Sequence, residues 1–265
     1  MVSIVRAVAA LLILAAVPGA RAQSVPGFSR PITEGQTRLT DATWNGDTYL
    51  AGLVIDPGPG AWTYWRHPGE AGLAPDFDWG ASLNLKSAEV LWPVPEKMSE
   101  AHAFTVNAYR SQVLLPVILT PVDKTKPVQV NLTARVGICS GLCSLVEENQ
   151  VVVLRPEQSV NPDGPALNAA VAALPKRRAV GADGPLSIVS VERTAATDPE
   201  VGLTVTVRAE GAAAPELFIA PPPGWYINSA APPASEGALH RFAVVLEHPE
   251  DWAVTSPSPA VTLLA

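Results

Sequence analysis

Proline recurs at short intervals along the whole chain, and no other feature limits its fold so strongly. The 27 prolines are spread through the sequence rather than gathered in one tail. A helix interior does not tolerate proline, because the ring removes a hydrogen-bond donor and clashes with the preceding turn. Between the prolines lie short runs rich in β-branched and aromatic residues: 48–55 (TYLAGLVI), 61–66 (AWTYWR), 88–92, 103–110, 112–119, 128–138 and 144–154. Turns are expected at 56–60 (DPGPG), 67–72 (HPGEAG) and 92–95 (WPVP). Short, evenly spaced strands separated by such turns predict an all-β protein built as β-sandwiches.

The strand pattern breaks once. Residues 156–165 are rich in turn formers, and 166–174 (ALNAAVAAL) predicts one short helix. Pro165 suits its first position, where the missing N–H has no helical partner to lose. Lys176, Arg177 and Arg178 close it, as the negative end of the helix dipole favours. From Leu186 the strand pattern resumes with LSIVSVER, VGLTVTVRAE, ELFIA and HRFAVVLE. The expected division is therefore a signal peptide at 1–22, a first sandwich at 23–158, a linker with a short helix at 159–180, and a second, smaller sandwich at 181–265. The second sandwich has no cysteine and no dense set of acids, histidines and serines, so its function is not readable from sequence.

The leader rests on Arg6 ahead of an apolar run from Ala7 to Val17, followed by Ala20-Arg21-Ala22, which fits a cleavage site after Ala22. The run falls short of the ~20 residues that span a bilayer. Export to an oxidising compartment is expected, with no membrane insertion after cleavage. The formal net charge is −7, and cleavage removes Arg6 and Arg21. That balance argues against nucleic acid and anionic membranes as partners.

The chain has two cysteines, Cys139 and Cys143, separated by Ser140-Gly141-Leu142. In an exported protein such a pair implies a disulfide or a dithiol that cycles with one. Residues four apart on a straight strand are roughly 13 Å apart, whereas a disulfide needs Cα atoms about 4.4–6.8 Å apart. The chain must therefore turn between them. A three-residue hairpin loop with Gly141 at positive φ is favoured by the β-branched flanks; a helical turn is the alternative. A bridge closing so short a loop stabilises by only ~2 kcal/mol, which tilts the reading from staple toward redox chemistry. The reaction would be thiolate attack on a partner's disulfide through a mixed disulfide. No basic residue lies between the cysteines, and Arg135 is the nearest candidate for lowering a thiol pKa.

Several strings occur together and in order: 60–72 (GAWTYWRHPGEAG) running into Asp78-Trp79, then 90–96 (VLWPVPE), Tyr109-Arg110, Leu115-Pro116-Val117 and the cysteine pair. Over about residues 40–154 the chain resembles the periplasmic N-terminal domain of the DsbD thiol–disulfide interchange reductases, especially the branch that includes the copper-sensitivity suppressor ScsB. The resemblance implies immunoglobulin-like sandwiches, a redox pair at Cys139 and Cys143, and a cap over it formed by 99–104. Within that cap His102 or Phe104 is the expected shielding side chain, with Glu100 beside them; 67–72 is the second candidate for the loop that covers the sulfurs. Glu70 and Glu100 are also candidates for tuning the pair electrostatically. Two departures stand out: Cys143 is followed by Ser144-Leu145 where the pattern usually has Ile-Pro, and the transmembrane and C-terminal thioredoxin domains of full-length members are not found in this sequence. The implied partners are a separate membrane electron donor of DsbD type and periplasmic thioredoxin-fold proteins.

The sequence reading is thus a soluble periplasmic thiol–disulfide exchange module that passes electrons through Cys139 and Cys143. The alternative is a β-sandwich binding or adaptor protein whose disulfide only pins a hairpin. A copper-handling protein is less favoured: two thiolates and a histidine suit Cu(I), but His67, His102, His240 and His248 show no ligand spacing with the cysteines. No metal and no cofactor are expected, and no phosphate loop, G-x-S-x-G elbow or HExxH motif occurs.

Overall fold

The computed structural model describes residues 35–99, 104–157, 161–176, 178–195, 197–211, 215–222, 224–230, 233–249 and 262–264. The expected leader at 1–22 lies outside them. The first eleven strands are β1 (Gln36–Leu39), β2 (Thr43–Trp44), β3 (Tyr49–Asp56), β4 (Trp62–Gly69), β5 (Asp76–Asp78), β6 (Leu85–Val90), β7 (Glu96–Ser99), β8 (Thr105–Tyr109), β9 (Val113–Pro121), β10 (Val128–Cys139) and β11 (Cys143–Leu154). They form two sheets. One has the order β1-β3-β9-β6 with β2 on β3; the other has β11-β10-β4-β8-β7 with β5 on β10.

Between these sheets lies the main core, which includes Leu53, Ile55, Leu115, Leu119, Val130 and Val136. Side chains alternate across a strand, so the even-numbered residues of β10 (Val130, Leu132, Ala134, Val136) point inward while Arg135, Gly137 and Cys139 lie on the outer face. The fold is the expected all-β sandwich. Pro116 sits in the middle of β9, between β3 and β6, where a proline removes a ladder hydrogen bond. The position tolerates it because β6 stops pairing at Val90↔Val117, just short of Pro116. The Pro116 carbonyl still accepts from the Leu91 N–H at 2.8 Å.

Residues 67–69, expected in a turn, instead continue β4. The ladder with β8 is interrupted between Tyr64 and Gly69, which leaves room for Pro68 without a lost bond. The Asn107 side-chain amide closes the gap by donating to the His67 carbonyl at 3.0 Å.

Helix α1 (Gly164–Ala172) begins two residues earlier than the pattern suggested and has proline in its first turn. It is packed as well as connecting. Leu167, fully buried, forms a cluster with Ala166, Val54 and Leu114 on the outer face of the first sheet. The recess for it is Gly52, where a Cβ would lie 2.7 Å from Leu167 and 2.5 Å from Leu114.

The remaining strands are β12 (Leu186–Thr194), β13 (Glu200–Ala209), β14 (Phe218–Ala220), β15 (Tyr226–Ala230), β16 (Ala234–Glu236), β17 (Leu239–Glu247) and β18 (Thr262–Leu264). A sheet ordered β12-β13-β17-β15, with β16 on β17, packs on Leu217 and Ile219 at β14, which pairs with β18. Val205, Val207, Trp225, Phe242 and Leu246 form a second core there.

Candidate functional site

Cys139 is the last residue of β10 and Cys143 the first of β11, and the two are directly opposed in the antiparallel register. Ser140, Gly141 and Leu142 make the three-residue loop. Gly141 holds φ at 94° with nothing near its missing side chain, and the Ser140 N–H donates to the Leu142 carbonyl at 3.0 Å. The cysteines form a disulfide. Opposed residues share a face, so the bridge lies flat on the outer surface of the second sheet rather than in the sandwich core.

The two sulfurs have different surroundings. Cys139 is completely buried, whereas Cys143 is exposed at the edge strand. Around Cys139 pack Tyr64, Met98, Val106 and Ala108, with Trp62 and Ala71 at the margin. The Tyr64 hydroxyl lies 3.0 Å from the Cys139 Sγ and 3.5 Å from the Cys143 Sγ. A disulfide sulfur carries no hydrogen, so the phenol donates. Tyr64 reaches this position because β4 meets β10 through Thr63↔Ile138 and Trp62↔Cys139, and the Thr63 hydroxyl fastens the junction by donating to the Gly137 carbonyl at 2.9 Å.

A loop covers the Tyr64 ring. At Gly72, φ is 102° and a Cβ would stand 2.4 Å from the ring; only a glycine lets the backbone lie so close. At Gly137, on the strand below, a Cβ would be 2.9 Å from the Leu73 Cβ and 3.1 Å from the Tyr64 ring. The start of the loop is pinned to β8: the Thr105 N–H donates to the Glu70 carboxylate at 2.7 Å, and the Glu70 N–H donates to the Thr105 carbonyl at 3.1 Å. Glu70 thus holds the loop. Burial, and after it the Arg66 charge, lower the pKa of His67 at the start of this segment to about 4.

Of the expected site residues, the structure brings Cys139 and Cys143 together. Phe104 stands at the entrance to β8, 45% exposed. His102 and Glu100 lie outside the described residues. Arg135 shares the outer face but is bound elsewhere, with its guanidinium 2.6 Å from Glu147 and 2.9 Å from Asp76. Tyr64 is not among the site residues expected from sequence. The alternation in Trp62-Thr63-Tyr64-Trp65 separates the two faces, yet nothing in the sequence gives the register of β4 against a strand about seventy positions later.

A β-sandwich that presents a half-buried hairpin disulfide on its outer face, under a tyrosine hydroxyl, has the makings of a thiol–disulfide exchange module. Residues 29–155 match the family described as Thiol:disulfide interchange protein DsbD, N-terminal, which identifies that segment as a domain of DsbD N-terminal type. Comparisons with curated proteins and with solved structures gave no match.

Proposed function

We propose that this protein is a periplasmic electron carrier that reduces thioredoxin-fold partners through Cys143 and is itself recharged by a membrane donor of DsbD type. The observation that carries the reading is the unequal exposure of the two sulfurs. In the reduced protein the Cys143 thiolate attacks a partner disulfide; a mixed disulfide forms and the partner's other sulfur leaves as a thiolate. Cys139, held next to Cys143 by the hairpin, then attacks the Cys143 sulfur. The partner is released as a dithiol and the Cys139–Cys143 bridge is restored. Two electrons have passed to the partner, and the protons on its thiols come from solvent and from the carrier's own thiols.

Tyr64 assists by hydrogen bonding. A phenol O–H directed at a thiolate stabilises the charged form, so its contact with both sulfurs favours whichever one carries charge. Burial of Cys139 beneath Tyr64 and the Gly72–Leu73 backbone keeps small oxidants from half of the pair. The 99–104 segment, with His102, Phe104 and Glu100, extends that cover in our reading. The family assignment and the leader motif support export with cleavage after Ala22, and among the described residues no helix is long and apolar enough to cross a membrane. The proposed organisation is a redox domain at 23–158, a linker at 159–180 and a second domain at 181–265.

Trapping tests the assignment. Reduced Cys139→Ser protein, mixed with an oxidised thioredoxin-fold protein, is expected to accumulate a dithiothreitol-sensitive 1:1 adduct, because the resolving sulfur is gone. Cys143→Ser is expected to give little. Equal adduct from both variants would reverse or remove the assignment, and none from either would leave a bridge that only pins its hairpin.

A further inference from the structure

Strand β14 belongs to two cores at once. Leu217 and Ile219 pack into the C-terminal core, while Phe218 and Ala220 pack into the core of the first sandwich. Alternation across a strand produces this division, so one short segment is shared by both units. The Phe218 ring meets Trp65 edge-on with centroids 6.2 Å apart, and the Lys97 ammonium lies 5.6 Å from its centroid. Burial, partly offset by Glu216, holds that ammonium below the ordinary lysine pKa. Beside it a cleft of about 60 Å³ sets Gly69, Glu70, Lys97 and Thr105 against Leu217 and Ile219.

These contacts fall on the reverse of the redox face. On β4, Trp65 points to Phe218 and its neighbour Tyr64 to the sulfurs; on β7, Lys97 points to Phe218 and its neighbour Met98 packs with Cys139. Gly69 and Glu70, which begin the covering loop, border the same cleft. The β4-β8-β7 part of the sheet is therefore a thin wall, with the disulfide on one side and the C-terminal unit on the other.

We propose that the C-terminal unit braces the redox site: Phe218 holds Trp65 and β7 from behind, and so fixes the Tyr64–Met98–Val106 wall against which Cys139 is buried. Phe218 is a positioning residue and touches neither sulfur. The function of the second unit is then to set how well the pair is covered. The inference rests on the exchange reading for its purpose alone. Its readout, the reactivity of the buried sulfur with a small reagent, is measurable whether or not a partner can be trapped.

The test uses the full chain carrying Cys143→Ser, so that the buried sulfur of the pair reports, reduced and mixed with 4,4′-dithiodipyridine: the Cys139 thiolate attacks the reagent disulfide and releases the absorbing thiopyridone. On the high-pH plateau, where the thiol is fully ionised in both proteins, Phe218→Ala is expected to react about tenfold faster than the parent, which corresponds to 1.4 kcal/mol of lost local stability. The pH at which the rate turns on should move upward, because Tyr64 no longer sits firmly on the Cys139 sulfur; a residue of purely structural importance would leave that profile in place. Val244→Ala, a truncation confined to the C-terminal core, is expected to react at the parent rate. Phe218→Leu keeps an apolar contact without the ring and serves if the alanine variant does not fold; its expected acceleration is about threefold, or ~0.65 kcal/mol. Parent-like rates and profile in a folded Phe218 variant would overturn the proposal, as would equal acceleration by Val244→Ala.

Discussion

At the scale of single residues, Tyr64 and the glycines around it govern the chemistry of the pair. A hydrogen bond to a charged group contributes about 1.5–3 kcal/mol, and 1.36 kcal/mol equals one pKa unit. Tyr64→Phe keeps the ring that fills the outer-face cluster and removes the donor. The lower thiol pKa of the reduced protein is expected to rise by about one unit, followed as thiolate absorbance near 240 nm. An unchanged titration would mean that the hydroxyl does not support the thiolate. Gly137→Ala acts by bulk: its Cβ would press on the Leu73 Cβ and the Tyr64 ring. Overpacking of this kind costs roughly 1–3 kcal/mol, to be read from urea unfolding, and parent stability in that variant would show that the loop yields freely.

At the scale of elements, the helix and the β4 extension each make a separate claim. Leu167 is fully buried over Gly52, so Leu167→Ala should lower stability by about 2–4 kcal/mol. The thiol reactivity should not change, because α1 packs on the sheet that does not carry the cysteines. Faster thiol reaction in this variant would show that the two sheets do not behave independently. His67 gives the fold a pH dependence. Its folded pKa of about 4 lies below the ordinary histidine value of 6.5, so between those pH values the unfolded chain binds the proton more readily. Stability is thus complete above pH ~6.5 and declines as pH falls toward 4, with an effect on the order of 2 kcal/mol. His67→Gln should flatten that part of the curve, and an equally steep decline in the variant would assign it to other groups.

The same elements mark what the sequence could convey. The cysteine hairpin was legible because all its information is local: a loop of three, a glycine able to take positive φ, and β-branched flanks. The helix was legible from its composition. Its seat on Gly52 was not, since a glycine within a strand and a leucine more than a hundred residues later carry no shared pattern. Tyr64 escaped for a similar reason. The outer-face cluster joins β4, β7, β8 and β10, and only their mutual register brings that hydroxyl to the sulfurs. Pro68 read as a turn because the long interruption of the β4–β8 ladder that accommodates it depends on Asn107 in another strand.

At the scale of the whole molecule, the disulfide is placed where a stabilising bridge would contribute least and an exchanging one is best served. It joins neighbouring residues of one hairpin, outside the main core, with one sulfur at an exposed edge and the other beneath Tyr64. Two hydrophobic cores meet through β14 behind that surface, so the chain presents the pair on a wall with both cores at its back. A bridge in electron exchange must open within the range of biological dithiols. Structural disulfides in exported proteins lie below about −300 mV and stay closed in glutathione. Equilibrating the chain from Gln23 onward in graded glutathione buffers, and quantifying the Cys139–Cys143 bridge after acid quenching, measures this directly. The expected midpoint is more positive than about −300 mV, with reduced and oxidised protein coexisting across the buffer series; a bridge that remains closed in every buffer would rule out electron exchange through this pair.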